Sequence, residues 1–266
     1  MLGLLFLAVH LLLAALSPLV VPYDPVAFAG GAAFAPPSAA HLFGTDNLGR
    51  DVFTRTLLGG RVALLITLAG IGLAVAWGGL LGMVLGLVGG WLDEALMRLV
   101  DAMLAIPETI FLLLIAGIVG TDHVVLILAL GFLYGVGVIR IARTATLTLV
   151  AQDFVLAARA RGEHQHTIVL RELLPNVLDM LLVEGALRWS WMLLAFSALS
   201  FLGFGVAPPT PDWGVMIAQN RSTFGIAPWA TLFPSAAIGS LIIGINLFVG
   251  VLAKAIGLDR VDGITV

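Results

Sequence analysis

The sequence holds 266 residues, 60% of them hydrophobic and 11% charged, with a mean hydropathy of +1.09 and a formal net charge of −3. Soluble domains carry about 45–50% apolar and about 25% charged residues, so the composition excludes an ordinary soluble domain and reads as an integral membrane protein. The absence of cysteine excludes disulfides, thiol catalysis and cysteine-ligated metals, and the thirteen scattered Lys and Arg residues, with no basic run, argue against nucleic acid as a partner.

Residues 2–21 form an uncharged apolar run, long enough to cross a bilayer at about 1.5 Å per residue. No basic stretch precedes it and more spans follow, so it reads as an uncleaved first helix rather than a signal peptide. An outer loop, 22–60, comes next. Within it Gly44, Thr45 and Asp46 read as a turn into a short amphipathic helix. Arg50, Asp51 and Arg55 should face water there, with Leu48, Val52 and Phe53 on the membrane or on neighbouring helices. The second span, about 62–88, carries Gly78, Gly79, Gly82, Gly86, Gly89 and Gly90 toward its end, a spacing that permits close helix contact. A third span, about 99–119, contains Pro107, and a tight loop at Thr121, Asp122 and His123 leads to a fourth, about 124–146.

Residues 151–176 form the longest polar stretch between apolar segments, with Asp153, Arg159, Arg161, Glu163, Arg171 and Glu172 inside it. Ala157, Ala158 and Ala160 favour a short helix over 151–161, which Gly162 interrupts. A second short helix, about 164–173, should run up to Pro175, which opens a fifth span over about 177–203. An outer loop, 204–230, is punctuated by Pro208, Pro209, Pro211 and Pro228, with Trp213, Phe224 and Trp229 as interfacial anchors. A sixth span, about 231–256, and a polar tail close the chain. Six spans place both termini on one side. That side collects eight basic residues (Arg98, Arg140, Arg143, Arg159, Arg161, Arg171, Lys254, Arg260) against four (Arg50, Arg55, Arg61, Arg221), which favours cytoplasmic termini and a cytoplasmic 151–176 loop.

Several chemistries are absent. Lys254 is the only lysine and follows Ala253, so no G-x-x-x-x-G-K-[ST] phosphate loop exists, and any ATP energy must come from another subunit. No H-E-x-x-H or G-x-S-x-G occurs, and His164 and His166 around Gln165 read as solvated. No internal repeat of the inverted-transporter type is visible. Ionisable groups within spans are costly, which marks Asp101, Glu108, Asp179, Glu184 and Arg188. Glu184 and Arg188, four residues apart, form either a structural ion pair or part of a pathway. Glu108, beside Pro107, either faces a water-filled cavity or stabilises a kink. Asp101 and Asp179 sit near the inner ends of their spans, where they are solvated.

Leu156–Gly162, LAARARG, with Pro175 thirteen positions later in LLPN, resembles the loop signature of permease subunits of bacterial ABC importers. Leu156 stands where that pattern has Glu, while Ala157, Ala158, Gly162, Leu174 and Pro175 match. Phe43–Arg55 (FGTDNLGRDVFTR), Met97–Pro107 (MRLVDAMLAIP) and Ala198–Arg221 (ALSFLGFGVAPPTPDWGVMIAQNR) resemble the second permease of dipeptide, oligopeptide and nickel importers, in the family's order from about residue 41 to 248. Two features depart from the pattern. The usual leader before the first helix is missing, and Val249, Val251 and Ala253 replace charged residues after the last.

The resemblance implies an all-α, type I importer permease with about six transmembrane helices, one domain over 1–266, in the bacterial plasma membrane. It implies three kinds of protein partner: a second permease, ABC ATPase subunits and an extracytoplasmic solute-binding protein. Catalysis, with ATP and Mg, belongs to the ATPase, and this chain binds no cofactor. The loop then becomes a coupling helix for the ATPase, carried by Leu156, Ala157, Ala158, Arg159, Arg161, Gly162, Glu163, Leu174 and Pro175. Gly162 and Pro175 act as its joints, and Ala157 and Ala158 form a smooth face for a groove. Gly44, Thr45, Asp46, Gly49, Arg50, Asp51 and Trp213 become the outer segment facing the binding protein. Glu108, Glu184 and Arg188 are the pathway candidates. Short peptides are the expected cargo, with nickel or haem as alternatives. A proton-coupled secondary transporter working through Glu108, Glu184 or Asp101 is the rival from another class.

Overall fold

In hydrocarbon no water satisfies backbone N–H and C=O groups, so long apolar runs must close their hydrogen bonds internally as helices. The computed structural model describes residues 2–27 and 32–257, and among these every regular element is helical. Arg260 and the rest of the polar tail lie outside the described residues. In order the helices are α1 (Leu2–Val20), α2 (Val52–Val88), α3 (Gly90–Leu104), α4 (Glu108–Val119), α5 (His123–Val150), α6 (Asp153–Ala160), α7 (Gln165–Thr167), α8 (Leu174–Leu199), α9 (Trp213–Asn220) and α10 (Trp229–Ile256). Five are long and apolar enough to cross a membrane, counting α7 and α8 as one continuous rod, and α3 with α4 make a sixth only as a pair bent by 86°.

Three expectations need correction. The short amphipathic helix near residue 50 does not exist as a separate element: Asp51 caps α2 by accepting from the Thr54 N–H at 2.7 Å, and the helix then runs unbroken for 37 residues. The third span is not one helix. Ala105–Pro107 end α3 and Pro107 caps α4, because proline cannot supply the N–H that a continuous helix needs there. Pro175 is not a joint. A π-turn over Ile168–Leu173 links α7 to α8, the Leu174 N–H reaching back to the Val169 carbonyl, and residues 165–204 run on as one rod until a kink at Gly203, φ +93°, near its end. The Asn176 side chain donates to the Glu172 carbonyl at 2.6 Å beside Pro175.

The α2–α5 seam is the most extensive helix contact, and three of the six glycines expected to permit close approach, Gly78, Gly82 and Gly86, line it; Gly79 faces Leu181 of α8, and a Cβ at Gly89 or Gly90 would meet nothing within 4 Å. A Cβ added at Gly78 would sit 2.4 Å from the Gly135 carbonyl oxygen, one at Gly82 2.4 Å from that of Ile139, and one at Gly86 2.7 Å from Thr146 Cβ. On the facing helix Gly135 gives room to Trp77, whose indole N–H donates to the Gly131 carbonyl at 3.0 Å. Elsewhere α1 packs along α10, tied by His10 Nε2 and Ser240 Oγ at 3.0 Å.

Contacts between loops fix which helix ends share a side. The Asn47 N–H meets Asn220 Oδ1 at 3.3 Å, Arg50 donates to Gln219 Oε1 at 3.1 Å, and Trp229 donates to the Thr45 carbonyl at 3.0 Å. The loop before α2 and the segment between α8 and α10 therefore form one cap at one end. At the other end Arg159 donates to the Leu87 carbonyl at the close of α2 at 3.1 Å, which places the 151–163 stretch opposite that cap.

Candidate functional site

Three regions hold the residues singled out by sequence. The first is the polar loop. α6 begins after Gln152 and ends in a Schellman pair, in which the Gly162 N–H bonds to the Arg159 carbonyl at 2.9 Å and the Glu163 N–H to that of Ala158 at 3.2 Å. Gly162 has φ +74°, the left-handed conformation that only glycine adopts without strain, so the turn expected there is present. Val155 and Ala158, both at 0% exposure, pack with Ile168, Val169, Leu173 and Val177 beneath α6. Ala158 is thus an anchor and not part of a free face, whereas Leu156, Ala157, Ala160 and Arg161 are exposed. Arg159 is spent on the α2 terminus, a favourable place for a cation because carbonyls there lack helical partners. Arg161 clamps the turn, reaching Glu163 at 2.6 Å and Glu172 at 3.5 Å. Leu174 is half-buried and Pro175 exposed on the continuous rod.

The second region, the outer cap, corrects the expected binding-protein contact. Gly44, Thr45, Asp46, Gly49 and Asp51 are buried, as is Arg55, and Arg50 is half-buried. They are turned inward by their own bonding. Asp46 pairs with Arg50 at 2.7 Å and lies 3.7 Å from Arg55, Asp51 meets His41 Nδ1 at 3.0 Å, and Arg55 donates to the Pro25 carbonyl at 2.8 Å. Gly44 at φ +69° lets the Trp229 ring lie against the turn; a Cβ would come within 2.6 Å of its Nε1. Trp213 is no interfacial anchor: it is 4% exposed, covers Gly59 and Gly60, and donates to the Thr56 carbonyl at 2.7 Å. Asp212, sequence-silent before this point, caps α9 and accepts from Ser200 Oγ at 2.8 Å, and burial pushes its carboxyl above the ordinary value. Exposed on this cap are Leu42, Leu48, Phe224 and Ile226.

The third region lies at the α3–α4 elbow. α4 has 12 residues, about 18 Å, and its far end turns through Gly120 into α5, so Glu108 sits about 18 Å from that turn. Tyr134, about 16 Å along α5 by the same rise, donates to Glu108 Oε1 at 2.7 Å. From α8, Arg188 Nε donates to Glu184 Oε1 at 2.6 Å, the i,i+4 pair expected from the sequence. Glu108, Tyr134 and Arg188 line one cavity of about 280 Å³ together with Pro107, Gly137 and Leu133. Gly137 makes room for this arrangement, since a Cβ there would meet an Arg188 nitrogen at 2.3 Å and the guanidinium would have to shift. Sequence reasoning missed Tyr134, which sits in an apolar span with no local signal. Asp101 and Asp179 do not join the cavity; Asp101 pairs with Arg140 and both carboxylates are exposed. Arg143 holds Asp93 at 2.5 Å, a second tie between α5 and α3.

A helical bundle of five or six candidate spans, one broken at Pro107 with charged groups beside the break, and a polar loop displayed at one end is the build of a multi-pass membrane protein. No cluster of three or more metal-ligating side chains exists among the described residues. Comparison with known proteins gives the family. Residues 78–258 match the family described as "Binding-protein-dependent transport system inner membrane component", and the chain belongs to it. It is therefore a non-catalytic, multi-pass membrane subunit with the type I importer permease fold. A Brucella suis biovar 1 protein named "Putative peptide permease protein" is 39% identical over 249 residues, covering 92% of this chain and 82% of the relative. The dipeptide transport system permease protein DppC of Alkalihalophilus pseudofirmus is 32% identical over 245 residues, covering 92% and 81%.

Proposed function

We propose that this chain is one of two permease subunits of an ABC importer for short peptides, in a bacterial plasma membrane with both termini cytoplasmic. The observation that carries the reading is α6: a short helix anchored from beneath by Val155 and Ala158, showing Leu156, Ala157, Ala160 and Arg161 outward, at the end opposite the outer cap. An exposed helix on fixed supports is suited to seat in a groove on an ATPase subunit. The second permease would complete the walls that the exposed faces of α4 leave open, where Ile110, Leu114 and Ile118 have no cover in this chain. ATP and Mg belong to the ATPase, and the extracytoplasmic binding protein delivers cargo to the cap, where Leu42, Leu48, Phe224 and Ile226 offer contact. Peptide cargo is drawn from the names of the relatives.

Force has a direct route. Gly162 is one hinge, and beyond Glu163 the chain enters the rod 165–204, which stays helical past Glu184 and Arg188 and kinks at Gly203 near its far end. A push on α6 from closing ATPase subunits therefore tilts α8 as a rigid body, and α8 carries Arg188 and Glu184 at the elbow. Alternation between inward- and outward-open states follows if ATP favours one tilt. The test is co-purification of the tagged chain, expressed with its neighbouring genes, beside Gly162→Trp. The unmodified chain is expected to bring an ATPase and a second permease, and the variant to lose the ATPase or its stimulation. A chain that runs alone in both forms would sink the proposal.

A further inference from the structure

We infer that the elbow cavity is a cargo subsite that reads the two charged ends of a zwitterionic peptide: Arg188 takes the terminal carboxylate and Glu108 the terminal ammonium. This rests on the peptide-importer reading and specifies the chemistry by which the membrane subunit itself recognises cargo.

The bonding leaves complementary edges free. Arg188 commits only Nε, to Glu184 at 2.6 Å, and its two terminal guanidinium nitrogens have no hydrogen-bond partner among the described residues. Those nitrogens face Gly137, where the missing side chain makes room for them, and Arg188 lines the cavity. A guanidinium fixed through Nε presents a planar pair of donors that matches a carboxylate. Glu108 accepts from Tyr134 on Oε1 at 2.7 Å and is otherwise exposed at the elbow, with its second oxygen free of protein donors. Its place in the first turn of α4, after Pro107, holds it on a helix and not on a loop.

The charge pattern separates cargo classes. Glu184 holds Arg188 through Nε alone, and Glu108 stands on a different helix, so the cavity presents guanidinium donors on one wall and a carboxylate oxygen on the other. An uncharged cargo would leave the terminal guanidinium nitrogens of Arg188 and the second Glu108 oxygen without partners, at a cost in the confined cavity. A molecule carrying both an ammonium and a carboxylate satisfies both. Glu184 is a positioning residue that aims Arg188 and touches no cargo. Since Arg188 rides on the rod driven by α6, tilting α8 would withdraw one wall from the other and release the cargo.

The experiment uses the complete complex in proteoliposomes, with the binding protein saturated by either L-alanyl-L-alanine or its C-terminal amide, each at a concentration above its measured binding constant. ATP-dependent uptake of the two is compared in the unmodified complex, Arg188→Gln and Arg188→Lys. Because the binding protein is the same throughout, the change in the carboxylate-to-amide ratio isolates the membrane subunit. The ratio is expected to fall at least tenfold in Arg188→Gln and less than threefold in Arg188→Lys. Normalisation to binding-protein-stimulated ATP hydrolysis removes losses from assembly. Equal losses for both cargos, leaving the ratio where it was, would make Arg188 a structural residue and overturn the subsite while leaving peptide import intact. Absence of any ATP-dependent peptide uptake by the unmodified complex would overturn the peptide reading, and the subsite with it.

Discussion

Gly82→Ala measures how tightly α2 and α5 are held. The new methyl would lie 2.4 Å from the Ile139 carbonyl oxygen, 2.7 Å from Ala142 Cβ and 3.0 Å from the Arg143 nitrogen. Ordinary C···O contacts sit at about 3.3–3.6 Å, so the overlap is near 1 Å. Two of the three obstacles are backbone atoms, which no rotamer change can move. The helices must therefore part locally by roughly 1 Å, and a gap of that size forfeits about a quarter to a half of each dispersion contact it opens. The cost is about 1–3 kcal/mol, the usual range for overpacking. For a chain of this size that is a fall of roughly 3–9 °C in thermal midpoint. Gly72→Ala is the matched control, since its Cβ would meet nothing within 4 Å, and alanine there gains up to about 1 kcal/mol of helix propensity. Thermal unfolding in detergent, followed by retention of the monodisperse peak, reads both. If Gly82→Ala melts within a degree of Gly72→Ala, the seam is not closed by glycine and the packing described above is wrong.

Other consequences follow from single contacts. Arg143→Gln leaves the buried Asp93 carboxylate unpaired and is expected to cost about 2–4 kcal/mol, most of it recovered in the Asp93→Asn/Arg143→Gln double variant; thermal midpoints of the four species check this. Asp212→Ala removes the α9 cap and the acceptor of Ser200, for a loss of about 1–2 kcal/mol in the same assay. Burial first, against four hydrogen bonds, holds the Asp212 carboxyl above its ordinary 3.8. Folded protein thus binds that proton more readily than unfolded protein, and this group's contribution to stability falls as pH rises from 3.8 through the raised value. Asp212→Asn should flatten that decline in a pH series of melts. Tyr134→Phe frees Glu108 from its one side-chain hydrogen bond among the described residues, and uptake by the reconstituted complex is expected to fall severalfold while stimulated ATP hydrolysis persists.

Much of the fold was legible because hydrocarbon enforces it. Apolar runs of span length became helices within a few residues of their expected bounds, except where a helix had to start inside a polar loop or break inside an apolar run. The start of α2 at Val52 was hidden because Asp51 works as a cap by burying itself, and a buried Asp beside two Arg residues reads from sequence as a wet face. The same inversion hid the true role of Trp213, whose glycine bed at Gly59 and Gly60 is distant in sequence. Pro107 and Pro175 show why proline alone is ambiguous. One breaks its span by 86°, and the other sits in a continuous rod because a π-turn has already displaced the ladder. The Glu184–Arg188 pair was readable because it is local, at i,i+4, whereas the Glu108–Tyr134 bond spans 26 residues and joins two helices.

Coupling through α6 is the central claim, and the chain's lack of cysteine makes it directly measurable. Ala157→Cys places a single thiol on the exposed face of α6, and Ile226→Cys, 68% exposed on the outer cap, supplies the control. In membranes carrying the full complex, a short photo-cross-linker attached to the thiol of Ala157→Cys, which inserts into any neighbouring C–H bond, is expected to join it to the ATPase subunit, with a yield that changes on adding ATP and Mg. Ile226→Cys is expected to give no such product. Failure of Ala157→Cys to cross-link, or equal cross-linking from Ile226→Cys, would contradict the assignment of α6 as the contact with the ATPase.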